Sequence, residues 1–454
     1  MHLYEACGVL LGAGLVPPAR VSELLSSILQ LPLQQLQSLS GRPLEWAHAA
    51  GLGGGDVACV EQMLAAGAAA AAQHIAVVAV ISKGFSNLAA AGTEHFDAQR
   101  PLREDFSNAL GLSLSALHGF GRFPELRTSA LMLMHRMVEM LSDDPIVSVI
   151  SPALPQLLSS AESKEVVEVS RLVNQLVLKF KGGIARPVST MLAHLTAATF
   201  AHIAQLDAQI VAETSAATGA SRAGGPQSQF ERERYALLRS YYGLLHSLVH
   251  SDLIGVLTDG ANAPHVEAAL RVLLQGCTEG PDLQLQRQCF LILHRLVEEW
   301  CGGGPAAVPG FGVFALQQIL PVCFGALSAP HFNLGNAAAL QLLDTIVALQ
   351  KGMLALPELA HQLVPYLRDT HLPSLGCAPA FCAHYVALLT EGEPRQLRDF
   401  LQQQMTPARP GGAAAAAAAA PILAAAAARH ARRKAAHAAA RATAHTAAAH
   451  ATAH

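Results

Sequence analysis

Met132-Leu-Met-His-Arg-Met-Val-Glu139 returns 159 residues further along the chain as Leu291-Ile-Leu-His-Arg-Leu-Val-Glu298. In both copies the apolar residues recur every three to four positions, the period that places them on one face of an α-helix. A proline precedes each copy, Pro124 and Pro281, at a point where proline disturbs a helix least. The echo therefore predicts two equivalent amphipathic helices.

One side of each predicted helix is apolar and is expected to be buried. That side consists of Leu126, Ala130, Leu133, Met134, Met137, Val138 and Leu141 in the first helix, and of Cys289, Leu293, Leu296, Val297 and Trp300 in the second. The separation of the copies is close to four units of the roughly 40–47 residues that HEAT and armadillo helix pairs occupy. We predict an all-α fold, a HEAT-like helical-repeat solenoid forming a superhelical arch, with a binding function.

The predicted domain organisation has two parts. At 454 residues the chain exceeds the roughly 250–300 residues at which a single core stops growing. Residues 1–410 are predicted to form the solenoid, in which a small, polar stretch near 214–229 is a flexible loop. Residues 411–454 are an Ala/His-rich tail of low complexity, predicted to be disordered. Within the solenoid, we expect a helix from about Arg20 to Leu31 that Pro32 interrupts.

Nothing in the sequence predicts catalysis, a cofactor or a metal site. Phosphate-binding loops with a Lys-Ser/Thr pair, His-Glu-x-x-His and Gly-x-Ser-x-Gly are all absent. The eight cysteines include no CxxC pair, and Cys377 with Cys382 and His384 is at most half of a zinc site. Buried, reduced thiols are the expectation, and the chain is predicted not to be an enzyme.

One stretch, Leu64 to Ile81, is apolar enough to consider as a membrane span. It contains Gln73 and His74, however, and consists largely of alanine and glycine, which gain little free energy in lipid. We predict a buried solenoid helix without membrane insertion. The start of the chain has neither the basic region nor the apolar run of a signal peptide.

Several runs of residues resemble segments of the exportin-T family, the tRNA exporters of the importin-β superfamily. These runs are Leu3-Tyr-Glu-Ala-Cys-Gly-Val-Leu-Leu11, Leu172-Val-Asn-Gln-Leu-Val-Leu-Lys-Phe-Lys181, Arg239-Ser-Tyr-Tyr242, Pro281 to Trp300, and Tyr366-Leu-Arg-Asp-Thr-His-Leu-Pro-Ser-Leu375. They occur in the family's order from about residue 3 to residue 405. The first residues are similar to the interior of an exportin helix, which implies the carboxy-terminal half of such a protein.

The resemblance implies a function and a set of partners. A family member wraps tRNA together with the small GTPase Ran in its GTP form, meets nuclear pore proteins, and shuttles between nucleus and cytoplasm. The family's main Ran-binding repeats would have no counterpart here, so Ran-dependent loading by this chain alone is not expected.

Basic residues on polar helix faces and turns are the candidates for contact with RNA phosphates, because each neutralised phosphate releases condensed counterions. They are Lys83, Arg136, Lys179, Lys181, Arg239, Arg287 and Arg295. Simpler interpretations stay open. Arg136 can pair with Glu139 and Arg295 with Glu299, and such surface pairs contribute little.

Net charge favours a different class of function. The formal charge is −3, and residues 1–412 carry 25 basic and 33 acidic side chains, a net charge of −8. Nucleic-acid binding needs positive potential only locally. The net acidity nevertheless leaves an alternative prediction. This alternative is a protein-binding HEAT scaffold without RNA binding, in which grooves between helices hold a partner helix.

Overall fold

The computed structural model describes residues 1–40, 42, 57–85, 100–141, 145–216, 228–304 and 306–405. Helices and short connections make up this part of the chain, and no β-strand occurs in it. The chain divides into two compact units, Met1–Val266 and Glu267–His454. The prediction of an all-α fold of stacked helices is confirmed. The assignment of residues 1–410 to one solenoid stays a prediction.

The first unit contains eight of the longer described helices. They are α1 (His2–Gly12), α2 (Pro18–Ser40), α3 (Val57–Ile81), α4 (Arg100–Ser115), α5 (Pro124–Met140), α6 (Ser163–Phe180), α7 (Ala185–Ala216) and α8 (Gln229–His250). Short helical turns lie between them at Ser82–Phe85, Leu117–Phe120, Pro145–Ile150, Leu154–Ser159 and Lys181–Ile184. Helix α9 (Ala263–Gly276) spans the division between the units.

The second unit continues with six longer helices among the described residues. They are α10 (Leu283–Cys301), α11 (Phe311–Leu327), α12 (Ala337–Ala355), α13 (Pro357–Ser374), α14 (Pro379–Thr390) and α15 (Pro394–Met405). Helices α11 and α13 each include a π-helical segment, at Ala315–Ile319 and Tyr366–His371.

In the first unit, α3, α5, α6 and α8 form a row in which each helix packs against the next. Three contacts show that α5 and α6 run parallel. Arg127 meets Glu165 near the start of both helices, and the His135 ring nitrogen Nδ1 lies 2.9 Å from Gln175 Oε1 in the middle. Lys179 meets the last carbonyl groups of α5. The α5–α6 pair is therefore joined by hydrogen bonds at both of its ends.

The contact between Arg127 and Glu165 is a buried, bidentate ion pair. Arg127 Nε and Nη2 each donate to one Glu165 carboxylate oxygen at 2.8 Å, and the Arg127 side chain is only 2% exposed. Arg127 Nη1 also donates to the carbonyl oxygens of Gly121 and Arg122. Glu165 in turn accepts from the backbone N–H of Glu162 and closes the capping box of α6. One pair thus joins a turn and two helix starts.

Helices α10 and α12 form an equivalent parallel pair in the second unit. Gln284 Nε2 donates to Gln341 Oε1 at 3.3 Å, and Arg287 Nε donates to Thr345 Oγ1 at 3.2 Å. The partners are 57 and 58 residues apart in sequence, so the register is constant along the pair. Further along, the His294 ring packs so closely on Gly352 that a Cβ atom there would lie 2.5 Å from His294 Nε2.

The two similar sequence segments form structurally equivalent helices, α5 and α10. The predicted apolar sides of α5 and α10 are buried throughout, with every named residue at most 4% exposed. The equivalence extends to the first turns, where Gln286 occupies the position of Arg127. Gln286 Nε2 donates to the carbonyl oxygen of Gly280, six residues back, as Arg127 does to that of Gly121. Both buried side chains therefore brace the turn before their helix.

The prediction that Pro32 interrupts α2 is wrong, because the helix continues to Ser40 with Pro32 inside it. The reason lies in the packing. Pro32 is buried on the same face as Leu25, Leu29 and Leu36, spaced by three or four residues. Its ring occupies an apolar position of the stripe, and burial of that ring offsets the hydrogen bond that proline cannot donate.

By length and composition alone, the helical stretch Ala58–Phe85 could cross a membrane, as could the bent pair Ala337–Ala355 with Pro357–Ser374. In the first of these, 56% of the most apolar window is buried against other helices. Ile75, Val78 and Ile81 are fully covered by protein. Packing against α2 and α5 accounts for its apolar character, as predicted for a core helix.

The predicted loop near 214–229 is helical at both ends. Residues 214–216 belong to α7, whereas Ser228 caps α8, which begins at Gln229. Residues 217–227 and the tail 411–454 lie outside the described residues.

The prediction of buried thiols holds for six of the eight cysteines, all of which are free. Cys59 contradicts it and is exposed, because it lies in the first turns of α3, where Ala58 and Glu61 are exposed as well. Burial raises the pKa of Cys301 to about 11 and that of Cys377 to about 12.

We expect Arg127→Met to lower the free energy of unfolding by about 3–5 kcal/mol, because it leaves the Glu165 carboxylate buried without its partner. Chemical denaturation followed by circular dichroism measures this change. Arg136→Met is the matched control on the same helix. Its partner Glu139 is half exposed, so we expect a loss of at most about 1 kcal/mol. Equal losses in the two variants would contradict the assigned role of Arg127.

In thiol titration of the folded protein at pH 8, we expect Cys59 to react first and the half-buried Cys7 next. The six buried cysteines should react only on unfolding, because thiolate is the reactive form and burial disfavours it. Mass spectrometry of maleimide-labelled peptides measures the order, with Cys59→Ser as the control. Early labelling of Cys277 or Cys289 would contradict the packing of the second unit.

Candidate nucleic-acid interface

Three of the seven predicted RNA-contacting residues lie in surface ion pairs. Arg136 Nη1 is 2.9 Å from Glu139 Oε2, as the simpler interpretation of the sequence predicted. Arg295 pairs with Glu298 at 3.2 Å and with Glu299 at 2.8 Å. Lys83 Nζ lies 2.8 Å from Glu5 Oε1, and this hydrogen bond together with the lysine's charge lowers the pKa of Glu5. An approaching phosphate would have to compete with a carboxylate at each position.

Two further candidates are engaged between neighbouring helices. Lys179 Nζ donates to the carbonyl oxygens of Val138, Glu139 and Leu141, at 2.5, 3.0 and 2.9 Å. An ammonium group has three N–H donors, so these bonds use its full capacity at the carboxyl end of α5. Arg287 is half-buried and donates from Nε to Thr345.

The arrangement at Lys179 recurs in the second unit. Lys351 on α12 donates to the carbonyl oxygens of Leu388 and Leu389, at 3.0 and 2.6 Å, and to that of Gly392. Unpaired carbonyl groups at a helix end carry partial negative charge, which a half-buried cation stabilises. In both units a lysine of one helix therefore caps the end of a neighbouring helix.

The two remaining candidates, Lys181 and Arg239, are exposed and form no ion pair within the described part of the chain. Lys181 follows the last residue of α6 with a φ of 50°, in the left-handed region that non-glycine residues seldom adopt. Arg239 lies in the middle of α8. Of the seven predicted residues, these two present the clearest positive charge to solvent.

Helix α8 is held in a defined rotation. The sequence Ser228-x-x-Glu231 forms a capping box, in which Glu231 N–H donates to Ser228 Oγ at 3.2 Å and Ser228 N–H donates to Glu231 Oε2 at 2.8 Å. Arg234 pairs with Asp207 of α7 at 2.6 Å. Tyr241 is buried against Phe200, and this burial raises its pKa to about 12. These contacts direct Arg239 outwards.

The sequence patterns missed a second arginine of this helix. Arg232 is exposed and, like Arg239, forms no ion pair among the described residues. The acidic neighbours Glu231 and Glu233 hid it in the sequence, although its separation of seven residues from Arg239 is a helical spacing. Arg186, in the first turn of α7, is a further exposed cation that was missed.

A metal site finds no support among the described residues, where no three histidine, cysteine or acidic side chains converge. Cys377 and Cys382 are buried core residues, and Cys382 Sγ lies 3.8 Å from the carbonyl oxygen of Cys377.

We expect Lys179→Met to lower the free energy of unfolding by about 1–3 kcal/mol, because three carbonyl groups lose a charged donor. Lys181→Met is the matched control two residues away, and its side chain makes no such bonds, so the stability should not change by more than about 0.5 kcal/mol. Urea denaturation of both variants measures the difference. An unchanged stability of Lys179→Met would contradict the capping role.

The sequence matches one known protein family over almost all of the described residues. The profile of the exportin-T family matches residues 1–409, which include all the described helices. Exportin-T of Homo sapiens is 28% identical over 289 residues, covering 63% of this chain and 27% of that protein. Exportin-T of Arabidopsis thaliana is 25% identical over 407 residues, covering 88% of this chain and 38% of that protein.

The relative from Danio rerio, also named exportin-T, is 24% identical over 408 residues, and 38% of its length is covered. The chain thus spans between about a quarter and two fifths of the curated relatives it matches. Because the family profile extends over residues 1–409 of the 454, the chain belongs to the exportin-T family.

Proposed function

We propose that this chain is the carboxy-terminal part of a tRNA nuclear export receptor. The observation that carries the proposal is the match of the exportin-T profile to residues 1–409. The cargo is tRNA, Ran in its GTP form is the partner that loads it, and nuclear pore proteins are met during passage. Such a receptor shuttles between nucleus and cytoplasm and is not an enzyme.

The physical basis for cargo binding in this part is local positive charge on an acidic protein. Lys181, Arg186, Arg232 and Arg239 are exposed and unpaired in the described residues of the first unit. Contacts from such groups to phosphates recognise the shape of a folded RNA with little base readout, which suits a carrier of many tRNAs. Lys179 instead caps the end of α5, and Arg287 joins α10 to α12 in the second unit.

We expect the full chain to bind mature tRNA more tightly than an unstructured RNA of equal length, with an affinity that falls as salt rises. The slope of log K against log salt should be about −0.7 to −0.9 per phosphate contacted. Fluorescence anisotropy across a salt series measures it. A variant with the five basic residues of the tail replaced by glutamine is the control for non-specific attraction by residues 411–454.

Two outcomes would contradict the proposal. Binding to neither RNA, even after addition of the remaining part of an exportin-T with Ran-GTP, would remove tRNA as cargo. A partner helix that binds with little salt dependence, in the absence of RNA binding, would support the protein-binding scaffold instead. Restoration of tRNA binding by the added part with Ran-GTP would assign loading to the assembled receptor.

A further inference from the structure

The solvent-exposed side of α8 carries a continuous basic stripe. Its members are Arg232, Ala236, Arg239, Gly243, His246 and His250, which we call the α8 stripe. They follow one another at three or four residues, so they share one face of the helix. From Arg232 to His250 the stripe runs for about 27 Å at 1.5 Å per residue. It contains two arginines and two histidines, and no carboxylate.

Packing on the opposite side fixes the direction of the stripe. Leu237, Leu244, Leu245 and Leu248 are buried, each at most 1% exposed. Ser170 of α6 donates to the carbonyl oxygen of Ser240 at 3.2 Å, which sets α8 against its neighbour in the row. A ligand of the stripe would therefore meet a rigid helix face.

Carboxylates on α8 and on the helices packed against it are already engaged. On α8 itself, Glu231 belongs to the capping box and Glu233 accepts from Gln229 Nε2 at 2.9 Å. On the neighbouring helices, Glu168 pairs with Arg171 and Asp207 with Arg234. Asp252 lies beyond the end of α8. Arg232 and Arg239 consequently present positive charge that none of these acids neutralises in an ion pair.

The residues between the cations are small. Ala236 has only a methyl group, and the space above Gly243 is open, with no atom within 4 Å of an added Cβ. At the far end, the rings of His246 and His250 stack with their centroids 4.1 Å apart. A chain of phosphates can thus approach the helix between the cationic side chains without displacing a bulky group.

We propose that the α8 stripe is a contact surface for the sugar-phosphate backbone of RNA. The inference rests on the proposed function and locates part of its cargo contact on one helix face. Arg232 and Arg239 each neutralise one phosphate, and the short residues between them allow close approach. The contact reads charge and spacing and carries no base preference.

Charge and surface chemistry favour RNA over an acidic protein as the occupant. Protein interfaces depend on buried aromatic and aliphatic anchors. The stripe has no exposed large apolar residue to supply one. A polyanion with regularly spaced charges needs none, because counterion release supplies the free energy of binding.

The test compares two kinds of variant with matched controls, using the full chain and fluorescent tRNA in a salt series. Arg232→Gln with Arg239→Gln should lower the salt slope by about two and weaken binding by about tenfold at low salt. Its control is Arg100→Gln with Arg271→Gln, an equal charge change at exposed arginines that already pair with Glu104 and Glu267. The control should bind as the wild type does.

The second variant, Gly243→Glu, adds a carboxylate and a side chain to the stripe and leaves both arginines in place. We expect it to weaken RNA binding. The fold should be retained, because glutamate has a higher helix propensity than glycine. Gly111→Glu is its control, at another open helical position. Thermal unfolding of all four variants verifies that the fold is retained.

The outcomes separate this inference from the proposed function. Wild-type binding of tRNA that neither stripe variant weakens would overturn the inference and leave the proposed function standing. Stripe-dependent binding of tRNA and unstructured RNA with equal affinity would support the stripe and contradict tRNA selection. If the variants lose affinity for polyglutamate but not for RNA, the stripe serves an acidic protein and the inference fails. Absence of any RNA binding by the wild type overturns both.

Discussion

The buried pair of Arg127 and Glu165 is the interaction on which the packing of the first unit depends. The two side chains hydrogen-bond to each other and to backbone groups on both sides. Arg127 donates to the carbonyl oxygens of Gly121 and Arg122 in the turn before α5, and Glu165 accepts from the backbone N–H of Glu162 at the start of α6. Two charges taken out of water are costly unless they are well hydrogen-bonded, and Arg127 makes four hydrogen bonds here. The pair therefore permits only one register between the two helices. With Lys179 at the other end, it aligns the row that carries α8.

Among the described residues, two uses of cations differ from the ordinary surface ion pair. Those that point between helices cap carbonyl groups or meet a buried partner, as Lys179, Lys351 and Arg127 do. Other cations, such as Arg239, point to solvent and have no carboxylate partner among the described residues. Their positive electrostatic potential can act on a ligand. An acidic chain can thus present local positive charge, because electrostatic attraction depends on the nearest unpaired groups and not on the total.

Much of the fold could be predicted, and much less of the site. The apolar stripes of α5 and α10 follow directly from a period of 3.6 residues, which needs no knowledge of neighbours. Pro32 misled the prediction, because its burial in a stripe outweighs its local preference. Among the basic residues, sequence spacing could not separate Lys179 from Lys181. The two lysines are only two positions apart at the end of α6. The ammonium group of Lys179 meets three carbonyl groups, whereas that of Lys181 faces water.

The sequence by itself determined the helical class, the two equivalent helices and the family resemblance, because these depend on periodicity and on the order of residues along the chain. Only the tertiary structure decided which charges are available. The α8 stripe exists because Arg234, Tyr241 and Ser240 anchor the other faces of the helix. Among the carboxylates on the neighbouring helices, Glu168 pairs with Arg171 of α6 and Asp207 with Arg234 of α8. Charge pairing depends on the distance between side chains in space, and local sequence does not determine the distances between helices.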